Sequence, residues 1–177
     1  MTIDNGQDRI SLPFGFDVPD GWTPVDPEKV GAPTAAFVAV RPDSGGDFTP
    51  NIILSVRHRP DAATILEIAD EAVQRLGRSM AELDVLSRRE FGAPPDNGVA
   101  QVLRIVSGTG QELVQSQVHL TVPGTAGRRD RVIVELACTS APQQSEPVVG
   151  EFQRFVASFH VRPGGYLSSV DTQGETQ

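Results

Sequence analysis

Four stretches of strand-forming residues, parted by short clusters of turn formers, dominate the second half of the chain and constrain its architecture. They run from about Val85 to Phe91, Val99 to Val106, Glu112 to Val122 and Arg131 to Thr139. Alternate side chains of a pleated strand face opposite sides of a sheet, so each stretch offers an apolar and a polar set. The separators are Gly92-Ala93-Pro94-Pro95-Asp96-Asn97-Gly98, Ser107-Gly108-Thr109-Gly110 and Pro123-Gly124-Thr125-Ala126-Gly127. Connections this short join antiparallel neighbours, which makes the four strands a meander.

The first half supplies further strands. Ile10 to Val18 alternates loosely and ends at Pro19-Asp20-Gly21, where Pro presets φ for a turn and Gly accepts a positive one. Trp22, the single tryptophan, follows the turn and is expected as a packing anchor at the sheet edge. Ala35 to Val40 is a short apolar strand closed by Arg41-Pro42-Asp43-Ser44-Gly45-Gly46. Asn51 to Arg59 is the clearest strand of this half, with Ile52, Leu54 and Val56 on one face and Ser55, Arg57 and Arg59 on the other.

Two segments switch to a helical period. Ile65, Ile68, Ala69, Ala72, Val73 and Leu76 recur at steps of three and four, with Asp61 or the Thr64/Glu67 capping box as the start and Gly77 as the expected C-cap. Val148, Val149, Phe152, Phe155, Val156 and Phe159 form a second stripe after Ser145-Glu146-Pro147. The fold class is therefore α+β: an antiparallel sheet of about six or seven strands with two packed helices. Residues 10–162 make one domain, between a flexible N-terminus at 1–9 and a polar tail at 163–177 that is expected to be disordered.

At 177 residues the chain buries a core without covalent staples, removing roughly 70% of its unfolded surface from water. Its net charge of -8 repels phosphate backbones and anionic bilayers, so nucleic acid is not an expected partner. Cys138 is the only cysteine, which excludes an intramolecular disulfide and a thiolate metal cluster. Residues 1–9 hold two acids before the first base and no apolar run, and no segment approaches the roughly 20 residues of a membrane span. A cytoplasmic location is expected.

The order of elements, with Val18-Pro19-Asp20-Gly21-Trp22, Phe48-Thr49-Pro50-Asn51 ahead of a strand and the Phe152/Phe155/Phe159 helix, resembles the LpqN-like lipoprotein family of actinobacteria, within the PsbP-like group of α/β/α sandwiches. The likeness runs from about Leu12 to Val161. Members are typically exported and tethered through a lipid-modified cysteine after an apolar leader, and residues 1–9 carry neither. The resemblance implies a fold and an accessory or binding role; no shared catalytic site comes with it.

Parity tests the available chemistry. Val114, Val118, Leu120 and Val122 oppose Gln115, Gln117, His119 and Thr121, while Val132, Val134, Leu136 and Cys138 oppose Arg131, Glu135 and Thr139. Cys138 is thus directed into the core and His119 away from it, whereas a cysteine nucleophile needs its base within about 3 Å. Only a β-bulge in one of these strands inverts the assignment. His58, His119 and His160 have no metal-ligand spacing, and Gly108-Thr109-Gly110 lacks the strand-to-helix context of a phosphate loop. No cofactor, metal or catalytic residue is expected.

A surface remains. Arg57, Arg59, Arg104, Gln115, Gln117, His119, Arg131 and Glu135 fall on polar strand faces and form the candidate surface for a protein partner, against the plainer reading of a solvated sheet face. The leading function is a non-enzymatic accessory or protein-binding module. The alternative is a carrier of a small apolar ligand held near Ile65, Phe152 and Phe155, and a weaker one is a hydrolase with a loop-built site.

Overall fold

The computed structural model describes residues 14–94, 96–122 and 131–162. The expected terminal segments at 1–9 and 163–177 and the turn at 123–127 lie outside the described residues. Among the described residues nine strands and two α-helices follow in the order β1 (Phe14–Gly15), β2 (Thr23–Val25), β3 (Phe37–Val40), β4 (Asn51–His58), α1 (Ile65–Gly77), β5 (Glu82–Phe91), β6 (Gly98–Val106), β7 (Glu112–Thr121), β8 (Val132–Ser140), α2 (Ser145–Ser158) and β9 (His160–Val161), with a short 3-10 turn at Pro142–Gln144 ahead of α2. Seven strands make one antiparallel sheet in the order β2-β3-β4-β8-β7-β6-β5, and β1 pairs with β9 in a small second sheet. The meander β5 to β8 is present as the short connections require. The β3-β4 hairpin joins it through β4 against β8.

Register shows how the sheet separates its two faces. Leu136 lies opposite Leu54 and Val118, and Cys138 opposite Ile52 and Ser116. These residues, with Val134, pack under Val148, Phe152 and Phe155 of α2 in the main core. On the other face Val99 and Ile133 meet Ile65, Ile68 and Ala69 of α1. The β7-β8 register is continuous from Val114 opposite Ser140 to Thr121 opposite Ile133, so no bulge inverts the Cys138/His119 assignment. A bulge does occur in β5, between Val85 and Ser87, where Leu86 is the extra residue.

The ends of the elements explain themselves locally. Gly21 takes φ +85°, and the Trp22 N–H closes the turn onto the Pro19 carbonyl at 3.2 Å. Trp22 is buried, and its indole N–H donates to Glu151 Oε2 at 2.8 Å, so the anchor also ties β2 to α2. Thr64 and Glu67 complete a reciprocal capping box, with Thr64 N–H donating to Glu67 Oε2 at 2.7 Å and Glu67 N–H to Thr64 Oγ1 at 3.2 Å. Asp61 binds arginine instead, and the C-cap is Arg78, one residue past the expected Gly77. Thr64→Ala is expected to cost about 0.5–2 kcal/mol, measured by denaturant unfolding, because it removes the side-chain acceptor of the first helical turn and loosens the reciprocal bond.

Before α2, Gln144 fastens the loop that leads into β4. Its side-chain amide donates to the carbonyls of Gly45 and, at 2.8 Å, Phe48, while its Oε1 accepts from Ala141 N–H at 2.9 Å. This buried glutamine does for the Phe48-Thr49-Pro50 segment what an apolar contact cannot: it satisfies loop carbonyls withdrawn from water.

Candidate functional site

The polar strand faces of β7 and β8 are mostly withdrawn from solvent, with Gln115 and Glu135 half-buried at their margin. Helix α1 lies over them, and His119, Gln117 and Gln101 are buried at 0%, 3% and 2% exposure. The side chains satisfy one another in a ladder across the sheet. Arg88 Nε donates to Gln101 Oε1 at 2.8 Å, Gln101 Nε2 to Gln117 Oε1 at 2.6 Å, Gln117 Nε2 to Gln115 Oε1 at 2.6 Å, and Gln115 Nε2 to Thr139 Oγ1 at 2.9 Å. Asp70 of α1 takes Arg88 Nη1 at 2.5 Å and anchors the outer end. The expectation of a solvated face fails because α1 covers more than its apolar contacts: Ile65 and Ile68 pack on Val99 and Ile133, and the polar ladder fills the space beside them.

His119 sits at the centre of this floor. Its Nε2 donates to Gln117 Oε1 at 3.3 Å, while Nδ1 is buried without a hydrogen-bond partner, 4.0 Å from Glu135 Oε2. Burial pushes the imidazole pKa below its ordinary value, more strongly than the Glu135 carboxylate raises it. Glu135 is itself held by Arg75 at 3.2 Å and Arg57 at 3.5 Å. A crevice of about 280 Å³ opens here between α1 and the sheet, lined by Ser55, Arg75, Gln115, Gln117 and Glu135 among others.

The eight residues of the candidate surface therefore divide into three places. Arg57, Gln115, Gln117, His119 and Glu135 gather beneath or beside α1. Arg59 and Arg131 hold the start of that helix: Arg59 pairs with Asp61 at 2.7 Å and Glu71 at 2.6 Å, and Arg131 donates to the carbonyls of Ala63 and Arg59 at 2.7 and 3.1 Å. Hydrogen bonds from Arg59 hold the Asp61 and Glu71 carboxyls below their ordinary range. Arg104 stands on the opposite side of the sheet, opposite Asp84 and Val114, among Glu82, Asp84 and Glu112 at 3.2 Å each. One continuous surface does not form.

The thiol and the imidazole are on opposite faces. Cys138 is buried under α2, and desolvation, followed by the Glu151 charge, pushes its thiol up to about 12. It stays protonated at neutral pH. His58 and His160 are exposed at the ends of their strands. Among the described residues no group of three or more His, Cys, Asp or Glu comes together, and no helix is long and apolar enough to cross a membrane.

The α2 side carries a second recess, which lies apart from where the apolar stripes alone would set a pocket. Seven strands are too wide for one helix: α2 packs on β8 and β7 and leaves the same face of β6 and β5 partly uncovered. Ala100 and Val102, which point to that side, remain half-buried within a sheet whose other face is closed. The result is a groove of about 560 Å³ with a floor of Ala100, Val102 and Val118 and walls of Phe91, Val149 and Phe152. Of the residues expected to line a ligand pocket, Phe152 does so. Phe155 is closed into the core at 1% exposure, and Ile65, the first residue of α1, is buried on the other face of the sheet against Val99 and Ile133. Periodicity shows which residues are apolar, while only the helix offset shows which of them is left uncovered.

Neither a protein-family profile nor a curated protein sequence matches the chain. Solved structures do. LpqN of Mycobacterium tuberculosis, a protein involved in cell envelope biogenesis, superposes with a TM-score of 0.64 at 9% identity over 85% of this chain and 83% of its own. The cyanobacterial PsbP (CyanoP) of Synechocystis sp. PCC 6803 gives 0.59 at 14% identity over 88% and 90%. The Ran-binding protein Mog1p of Saccharomyces cerevisiae gives 0.58 at 15% over 84% and 90%. At these identities the likeness is one of fold: the chain has the α+β architecture, built on an antiparallel sheet, that LpqN and PsbP share.

Proposed function

We propose that the protein is a non-enzymatic accessory module that receives an apolar segment of a protein partner in the groove between α2 and strands β5 to β7. The groove itself carries this reading. A folded chain of this size ordinarily covers its sheet faces, and a concave apolar recess rimmed by polar residues is where a binding partner is expected. The Ran-binding activity named for Mog1p is in keeping with a protein partner for this fold. A small apolar ligand is the second reading, favoured by a volume within the roughly 300–1,000 Å³ of ligand pockets.

A photo-crosslinking residue placed at Val102 tests the proposal in the native cell. The expected result is a discrete crosslinked partner protein that disappears with Val149→Glu, which puts a charge into the groove wall, and persists with Arg57→Ala on the other face. Absence of any Val102 adduct that Val149→Glu removes overturns it. Native mass spectrometry of the purified protein separates the second reading, since a carried ligand adds a fixed small mass.

A further inference from the structure

We propose that strand β5 is a self-complementary edge through which two copies of this chain associate about a two-fold axis. At the other edge of the main sheet β2 has three residues; β5 has ten, and nothing among the described residues pairs with its outer side. Val85 and Leu86, exposed at 43% and 58%, sit in the middle of it. They are two of the three large apolar residues left exposed among the described residues. An unpaired edge of this length with apolar residues at its centre is a template for another strand.

Charge identifies the occupant. Arg104 stands among three acids, Glu82, Asp84 and Glu112, which leaves two negative charges in excess at the N-terminal end of β5. Arg89, near the C-terminal end, is exposed and makes no ion pair among the described residues. The β5-β6 register places Asp84 opposite Arg104 and Arg89 opposite Ala100, so both side chains belong to the α2 side of the sheet. Two β5 strands running antiparallel, with the bulged Leu86 left out of the count and Ser87 opposite Ser87, set Asp84 of each copy against Arg89 of the other. Directly opposed residues in an antiparallel pair must share a face, and all the pairs in this register do. A symmetric interface requires a patch that complements itself, and here Asp84 and Arg89 supply acid and base on either side of the axis, with Ser87 on it and Val85 and Leu86 beside it. The arrangement also brings the two α2-side grooves, each bordered by Ser87, Arg89 and Phe91, to the same junction.

Sedimentation equilibrium on the purified full chain reads the association directly. Wild type is expected to show twice the chain mass at micromolar concentration. Asp84→Arg and Arg89→Asp, each a surface exchange with its fold checked by circular dichroism, are each expected to weaken the dimer at least about tenfold by opposing like charges. Mixing the two variants restores it, because every acid at this junction then faces a base on the other copy again. A monomeric wild type overturns the proposal, as does a dimer indifferent to both exchanges or a mixture that fails to associate. The outcome is independent of what occupies the groove, which the Val102 adduct reports.

Discussion

Phe155→Ala is expected to lower the unfolding free energy by about 3–5 kcal/mol, measured by denaturant titration. Phe155 is 1% exposed and lies within an aromatic group, 5.2 Å from Phe16, 6.2 Å from Phe37 and 6.5 Å from Phe152 between ring centroids. It faces rigid strands, with Ile52, Leu54 and Leu136 in the same core, so the neighbours have little freedom to collapse into the vacated space. Phe152→Ala provides the comparison. One side of Phe152 borders the groove, where solvent or neighbouring side chains can fill part of the gap, and its loss is expected to cost less. Equal losses at the two positions would contradict the assignment of the groove as open and Phe155 as the closed centre.

Acidification is expected to weaken the fold through His119 before its carboxylates titrate. The folded-state pKa is depressed by burial, so the imidazole is neutral at neutral pH. Below about pH 6.5 the unfolded chain takes up a proton at this residue that the folded chain refuses. Stability therefore falls as pH decreases from that point, by at most about 1.4 kcal/mol per pH unit, until the folded imidazole also protonates. Glu135 favours the charged ring and Arg75, Arg88 and Arg57 oppose it, so the balance is set by desolvation. Asp61 and Glu71, whose pKa values Arg59 lowers, add their own loss at more acidic pH. Unfolding free energies at about pH 7.5 and about pH 5.5, for wild type and His119→Gln, check the assignment. The variant is expected to show the shallower dependence; parallel profiles would show that His119 is not the group responsible.

The polar ladder explains why this histidine is so well insulated. Gln101 and Gln117 occupy positions where alternation alone places solvent-facing residues, yet both are closed under α1. Each finds its partner in a cross-strand neighbour: Gln101 lies directly opposite Gln117, and Gln115 directly opposite Thr139. Alternation reports their side of the sheet correctly. It does not report the cover, because a helix 13 residues long shields a polar floor as readily as an apolar one when the glutamine side chains of that floor satisfy one another, His119 Nδ1 being the atom left without a partner.

The same distinction runs through the rest of the molecule. The capping box at Thr64 and Glu67, the positive φ at Gly21, the hairpin order and the separation of Cys138 from His119 are legible in the residues, since each depends on interactions among near neighbours or on strand parity. The β5 bulge is harder to read, although Val85-Leu86 places two apolar residues side by side where alternation asks for one. Arg104 joins the wrong face when it is grouped by charge, because its orientation depends on β5 and β7 pairing. Local sequence thus marked β3, β4, the meander β5 to β8, both helices and which side chains of a strand share a face, because backbone geometry imposes those relations within a few residues; it did not mark β2 or β9, and of the strand expected over Ile10 to Val18 only Phe14–Gly15 is a described strand, paired with β9 outside the main sheet. Tertiary structure alone decided that α1 seals the polar face, that α2 stops short of β5 and β6, and that a groove remains there. Those outcomes depend on how far two helices of fixed width reach across a seven-strand sheet, a packing balance among residues distant in the chain.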